Sequence, residues 1–155
     1  MKRIRKAYEG YQYQYCISEC NELLVYNPKD FFGHYYKGLC FTELKLFQEA
    51  LDSFESSRES INRNRARKFL KEYSCDIGIR ESTIYLKMRE FKKAKELLKE
   101  NIKQHPNCVS SFTELSSIEE DEKNFLGAIE IINRGIESNP NNKILKDEKN
   151  RINLK

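Results

Sequence analysis

Along residues 36–54, YKGLCFTELKLFQEALDSF, the apolar and small residues fall into two short runs with a polar break between them. Gly38 and Phe41 stand three apart in the first run, and Phe47, Ala50 and Phe54 stand three and four apart in the second. Steps of three and four place residues on one face of a helix, so the pattern predicts two helices joined by a short turn. The same order of residue types returns downstream as Ser82, Tyr85, Phe91, Ala94 and Leu98, and again as Ser116, Glu119, Phe125, Ala128 and Ile132. Ala7, Tyr13, Cys16 and Cys20 give a partial version near the start. Small residues alternating with bulky ones suit helices that cross closely: the small residue lets one backbone approach while the bulky one fills the adjacent gap.

All three prolines follow helix-like runs, in VYNPKD, KQHPNC and ESNPNN. Pro106 and Pro140 are 34 residues apart, and Pro28 and Pro106 are 78 apart, which equals one 34-residue and one 44-residue period. Proline suits a turn or the first turn of a helix and breaks helix interiors, so these positions mark a recurring boundary.

These residues resemble the tetratricopeptide repeat, a helix-turn-helix unit of about 34 residues with the pattern W-x2-L-G-x2-Y…A-x3-F…P. The second repeat matches as His34-x2-Lys37-Gly38-x2-Phe41 followed by Ala50-x3-Phe54, with the tryptophan and leucine slots departing from the pattern. The fourth keeps Phe112 and Leu115 in those slots but carries Glu119 where an aromatic is expected. The resemblance covers nearly the whole chain and implies an all-α right-handed superhelix of about four helix-turn-helix repeats. The expected repeats are 1–30 (partial), 31–64, 65–108 and 109–140, within a single domain. The first begins too late for a full first helix, so either the sequence starts inside a longer protein or residues 2–9 form a shortened helix.

Two segments depart from a plain array. The ten extra residues of the 44-residue period lie around 59–75, where INRN reads as a turn. Phe69, Leu70, Tyr73, Ile77, Ile84 and Leu86 then predict an elongated first helix. Arg63, Arg65, Arg67 and Lys68 at its start read as a solvated helix beginning or as a basic projection for an acidic partner, a nuclear-import signal or RNA. The tail, 141–155, predicts a capping helix, with Asn142 as its N-cap and Ile144, Leu145, Glu148 and Ile152 recurring at helical steps.

Composition adds bounds. The 155 residues are 39% hydrophobic and 34% charged, with 6 Gly and 3 Pro, which argues against a loop-rich or disordered chain. Mean hydropathy is −0.78, low for a compact globule and suited to a helix-rich body with much surface. The net charge of +4 is too small to imply nucleic acid. Its distribution is uneven: residues 59–108 hold 13 Lys/Arg against 7 Asp/Glu, and residues 109–140 hold 2 against 7. Five cysteines, an odd number, with no apolar leader predict a reduced cytoplasmic protein, with a nuclear location as the alternative. No apolar run approaches the length needed to enter a membrane.

No catalytic constellation emerges, and no cofactor or metal is expected. Cys40 is six residues from His34, on the wrong side of a helix to form a nucleophile–base pair. Cys16 and Cys20 occupy slots where other repeats place Ala50 and Phe54, so they read as core rather than as zinc ligands.

The resemblance implies a concave groove lined by the first helix of each repeat, where another protein's peptide or helix would bind. The implied groove residues are Arg5 and Tyr8, then Phe32, Tyr35, Tyr36, Leu39 and Thr42. Ile79, Arg80, Thr83 and Lys87 follow, then Thr113, Ser117 and Asp121. Tyr35, Tyr36, Phe32 and Leu39 are the expected apolar anchors, and Arg5 and Arg80 the expected partners of acidic groups. The competing reading is that DFFGHYY packs against the first repeat. The carboxylate clamp that grips heat-shock chaperone tails would need Lys, Asn, Asn, Lys and Arg. The matching positions hold Met1, Arg5, Tyr36, Asp76 and Arg80, so that partner is not expected. Self-association through the N-terminal edge and a nucleic-acid role for the stretch Arg63–Lys68 remain as alternatives.

Overall fold

The computed structural model describes the backbone of residues 1–63 and 67–154, and the side chains of those residues other than 62–72. Within these bounds all regular structure is α-helical, in nine helices. They are α1 (Lys2–Glu9), α2 (Tyr13–Tyr26), α3 (Phe31–Glu43), α4 (Phe47–Arg63), α5 (Arg67–Lys87), α6 (Phe91–Gln104), α7 (Val109–Asp121), α8 (Phe125–Ser138) and α9 (Lys143–Asn153). The chain divides into two compact bodies, Met1–Arg80 and Glu81–Lys155.

Helix ends fall where local chemistry puts them. Each proline sits in the connection that follows an even-numbered helix, as the 34-residue spacing anticipates. Asp30 and Asn142 cap α3 and α9, their side-chain oxygens accepting from the Gly33 and Leu145 amides at 2.8 and 3.1 Å. α5 is 21 residues long, and α4 runs to Arg63, so residues 61–63 of the INRN stretch, expected as a turn, are helical instead. The basic stretch Arg63, Arg65, Arg67 and Lys68 lies outside the described side chains.

The turns within the four pairs are one device used four times. Tyr11, Lys45, Arg89 and Lys123 all have φ near +60°. One residue further on, Gln12, Leu46, Glu90 and Asn124 donate to the carbonyls of Ala7, Phe41, Tyr85 and Glu119 at 2.8–2.9 Å. This is the Schellman arrangement, which satisfies the last carbonyls of a helix and turns the chain sharply. Glycine is the usual occupant of the left-handed position, and here no turn has one. Each side chain therefore carries a steric cost of about 1–2 kcal/mol.

In the N-terminal body, the Phe54 ring of α4 lies directly against the α3 backbone at Gly38. A Cβ built there would stand 2.7 Å from Cε1 of Phe54 and 2.8 Å from its Cδ1. Phe54 is fully buried and cannot withdraw. Glycine costs the helix roughly 1 kcal/mol relative to alanine, and this contact offsets it. Cys16 and Cys20 are also fully buried and pack with Ile4, Ala7, Ile17 and Cys40, as small core residues do. Burial, helped by Cys16, pushes the thiols of Cys20 and Cys40 well above their ordinary pKa.

The C-terminal body is built around Ala94, Leu98, Phe112, Leu115, Ala128 and Ile132, closed by Leu145 and Ile152 of α9. Ser116 takes the place that Gly38 holds in α3, and its hydroxyl donates to the Ala128 carbonyl at 3.3 Å. Glu119, the residue at odds with the repeat pattern, is buried yet paired: Lys95 Nζ lies 2.6 Å from it, and Asn124 Nδ2 donates to it at 2.7 Å. Burial works to raise its pKa, but these donors outweigh burial and hold the carboxyl below its usual range. A bidentate Arg151–Glu120 contact ties α9 to α7 at 3.0 and 2.5 Å.

Two stability changes follow. Gly38→Ala drives a methyl into the Phe54 ring and lowers stability by about 1–3 kcal/mol, a cost that better helix propensity reduces only in part. Urea denaturation measures it, and no loss would show that α3 and α4 separate at little cost. Lys123→Gly removes the steric penalty at a left-handed position and raises stability by about 0.5–1 kcal/mol after the entropic cost of glycine. The thermal midpoint should rise, and a fall would show that the Lys123 side chain makes a compensating contact.

Candidate functional site

The residues expected to line a groove in the N-terminal body come from three helices. Arg5 and Tyr8 lie on α1, Phe32, Tyr35, Tyr36, Leu39 and Thr42 on α3, and Ile79 and Arg80 on α5. Their rings form a connected series. Tyr8 meets Tyr13 at 6.0 Å and Tyr36 edge-on at 5.8 Å, and Tyr36 meets Tyr35 at 5.7 Å. Tyr35 then contacts Phe31 at 5.6 Å, Phe54 at 6.1 Å and Tyr73 at 5.4 Å. Phe32 joins through Phe31 at 5.0 Å and Tyr73 at 5.5 Å. Edge-to-face pairs at such separations stabilise beyond the area they bury.

Burial divides this series into an inner and an outer part. Tyr35 and Leu39 are 7% and 6% exposed. Thr42 is also buried, and its hydroxyl donates to the Gly38 carbonyl at 2.8 Å. These three, expected as contact residues, are buried, and Tyr35 packs on Phe31, Phe54 and Tyr73 rather than on the first repeat. Tyr8, Phe32 and Tyr36 are half-buried, each with one side held by the core. Tyr73 is also half-buried and belongs to the same patch, although its spacing marked it only as part of the elongated helix. Its spacing from Asp76 and Arg80, three and seven residues, was the available signal for a shared face.

Polar groups fix the inner part. The Tyr35 hydroxyl donates to Asp76 Oδ2 at 2.5 Å, and Arg80 Nε donates to the same oxygen at 3.3 Å. Asp76 thus links α3 to α5 through a tyrosine. Arg5 pairs with Glu9 at 2.8 Å, with both side chains more than half exposed, a pairing worth little in water. The guanidinium of Arg5 acts electrostatically on Tyr36, and that of Arg80 on Tyr8. Both cations favour the ionised phenols, yet burial dominates and raises both tyrosine pKa values. Thr83 is half-buried and Lys87 exposed; both lie in the C-terminal body with Thr113, Ser117 and Asp121.

Burial, then the bond to Asp76, pushes the Tyr35 phenol far above its ordinary pKa. A folded pKa raised above the unfolded value of about 10 gives stability that is complete below pH 10 and lost above it. Tyr35→Phe should therefore cost about 1 kcal/mol near neutrality. The gap between the two proteins should narrow as pH rises past about 10. Urea melts of both across this range test the bond, and a constant gap would refute the role of the hydroxyl proton.

No protein-family model and no curated protein matches the sequence. Solved structures do. MamA 41-end from Desulfovibrio magneticus RS-1 aligns at a TM-score of 0.67 and 14% identity, over 99% of this chain and 81% of that one. The APC/C hetero-tetramer Cut9-Hcn1 aligns at 0.69 and 13% identity, over 96% of this chain and 28% of that one. YrrB, described as a TPR protein with an unusual peptide-binding site, aligns at 0.63 and 13% identity, over 96% and 72%. At such identities the likeness speaks for the fold alone, and the fold of this chain is that of the tetratricopeptide-repeat proteins.

Proposed function

We propose that the chain is a non-catalytic protein-binding scaffold whose N-terminal body holds a peptide or helix of another protein. The outer aromatic residues Tyr8, Phe32 and Tyr36, with Tyr73, carry this reading. They are rigid, held on one side by the core and open on the other, and large amphipathic rings in that state bind at low entropic cost. Arg5 and Arg80 flank the tyrosines, so the preferred segment pairs an apolar side chain with a carboxylate. Tyr35 supports Tyr36 and Tyr73, and Leu39 and Thr42 are buried beneath, so these three act behind the contact surface instead of meeting the partner. Asp76 occupies a position where a carboxylate clamp would need a cation or amide, which leaves heat-shock chaperone tails a poor fit. The peptide-binding site of YrrB and the hetero-tetramer of Cut9-Hcn1 are precedents for protein ligands on this fold.

Selection from a displayed peptide library tests the assignment. The wild-type protein should enrich segments that combine an aromatic or aliphatic residue with Asp or Glu. A folded Tyr8→Ala/Tyr36→Ala variant should lose them by tenfold or more, since two interface tyrosines together account for about 2 kcal/mol or more. Unchanged enrichment by the variant would remove the function from this face.

A further inference from the structure

The C-terminal body carries a cleft of the opposite charge. It has a volume of about 370 Å³ and lies where the end of α5, the start of α6 and one face of α7 meet. Its apolar side is Leu86, Phe91 and Ile118. Ile118 is buried and Leu86 half-buried, but Phe91 is 50% exposed, an aromatic ring left half open to solvent. The rest of the lining is Ser117 and the acidic residues Glu114, Asp121 and Glu122.

These carboxylates differ in how they are already used. Glu122 pairs with Lys95 at 2.8 Å. Glu114 and Asp121 take part in no hydrogen bond or ion pair with any described residue. They stand seven residues apart on α7, two helical turns, and Ile118 lies between them on the same face. The sequence of α7 has four acidic residues and no basic one, and the other two, Glu119 and Glu120, are buried in pairs with Lys95 and Arg151. The two free charges therefore bracket an apolar recess large enough for an aliphatic or aromatic side chain.

We infer that this cleft docks a basic segment of a partner protein, one that presents an aliphatic or aromatic residue flanked by Lys or Arg. The apolar residue enters between Leu86, Phe91 and Ile118, where leaving water supplies the binding energy. The flanking cations meet Glu114 and Asp121, which set register and exclude acidic segments. Ser117 and Asp121 are also among the groove residues implied for the fourth repeat, so the inference rests on the protein-binding reading and carries it to the C-terminal body with the opposite charge preference.

Fluorescence anisotropy with a labelled peptide, a central Leu-Leu pair flanked on each side by two arginines, tests the inference on the full chain. The peptide should bind, and its counterpart with glutamates for arginines should not. Glu114→Lys/Asp121→Lys should weaken binding about tenfold or more, and Glu114→Gln/Asp121→Asn less, because reversal adds repulsion to the lost attraction. Phe91→Ala, at a half-exposed site, should weaken it similarly with helicity unchanged. Raising NaCl from low to high concentration should weaken binding several-fold. Tyr8→Ala/Tyr36→Ala should leave it intact, which separates this site from the N-terminal face. Equal binding of the acidic peptide, indifference to the charge reversal, or loss with the tyrosine variant would each overturn the assignment. So would sedimentation showing a dimer that Phe91→Ala dissolves, because a second copy would then fill the cleft.

Discussion

The approach of α3 to α4 at Gly38 sets the position of everything above it in the N-terminal body. With no side chain at residue 38, the Phe54 ring lies against the α3 backbone, within 2.9 Å of where a Cβ would be. Phe54 in turn supports Tyr35 edge-on, and Tyr35 supports Tyr36 and Tyr73. The outer tyrosines are thus fixed by a buried contact two layers below. A close-packed interior transmits displacement because it has no free volume to absorb it. The glycine is as much a determinant of the surface as of the core.

The four turns show a different kind of economy. Backbone geometry is the same at Tyr11, Lys45, Arg89 and Lys123, though their side chains share little. The hydrogen bonds of the Schellman turn come from main-chain groups, so the motif persists where tertiary packing demands a sharp reversal and tolerates residues that disfavour it. Glu119 illustrates the same tolerance in the core. A carboxylate stands where the repeat pattern has an aromatic, and it is stable there because Lys95 and Asn124 satisfy it. A buried charge with its partners in place replaces packing area with directed bonds.

The two bodies present different chemistry on one kind of scaffold. The N-terminal body offers rings beside guanidinium groups, and the C-terminal body offers an apolar recess beside free carboxylates. The acidic composition of α7 foreshadows the second of these, whereas the basic stretch before it runs through both bodies. Charge of this kind governs which segments approach and in what orientation, while the apolar contacts govern how long they stay.

The helix pairs, the longer period that lengthens α5 and the Asn142 cap were legible in the sequence, because each rests on local periodicity or on a side chain that bonds to its own neighbourhood. Gly38, Ala50 and Phe54 announced a close crossing by their order alone. The left-handed residue of each turn was not legible: with no glycine at that position, nothing local marks it. Nor could spacing separate Tyr35 from Tyr36, adjacent residues of one type that differ in burial. That difference was decided by Phe31, Phe54, Tyr73 and Asp76, which come from three different helices. Periodicity tells which face of a helix is apolar; only the packing of other helices onto it determines which of those residues reach the surface.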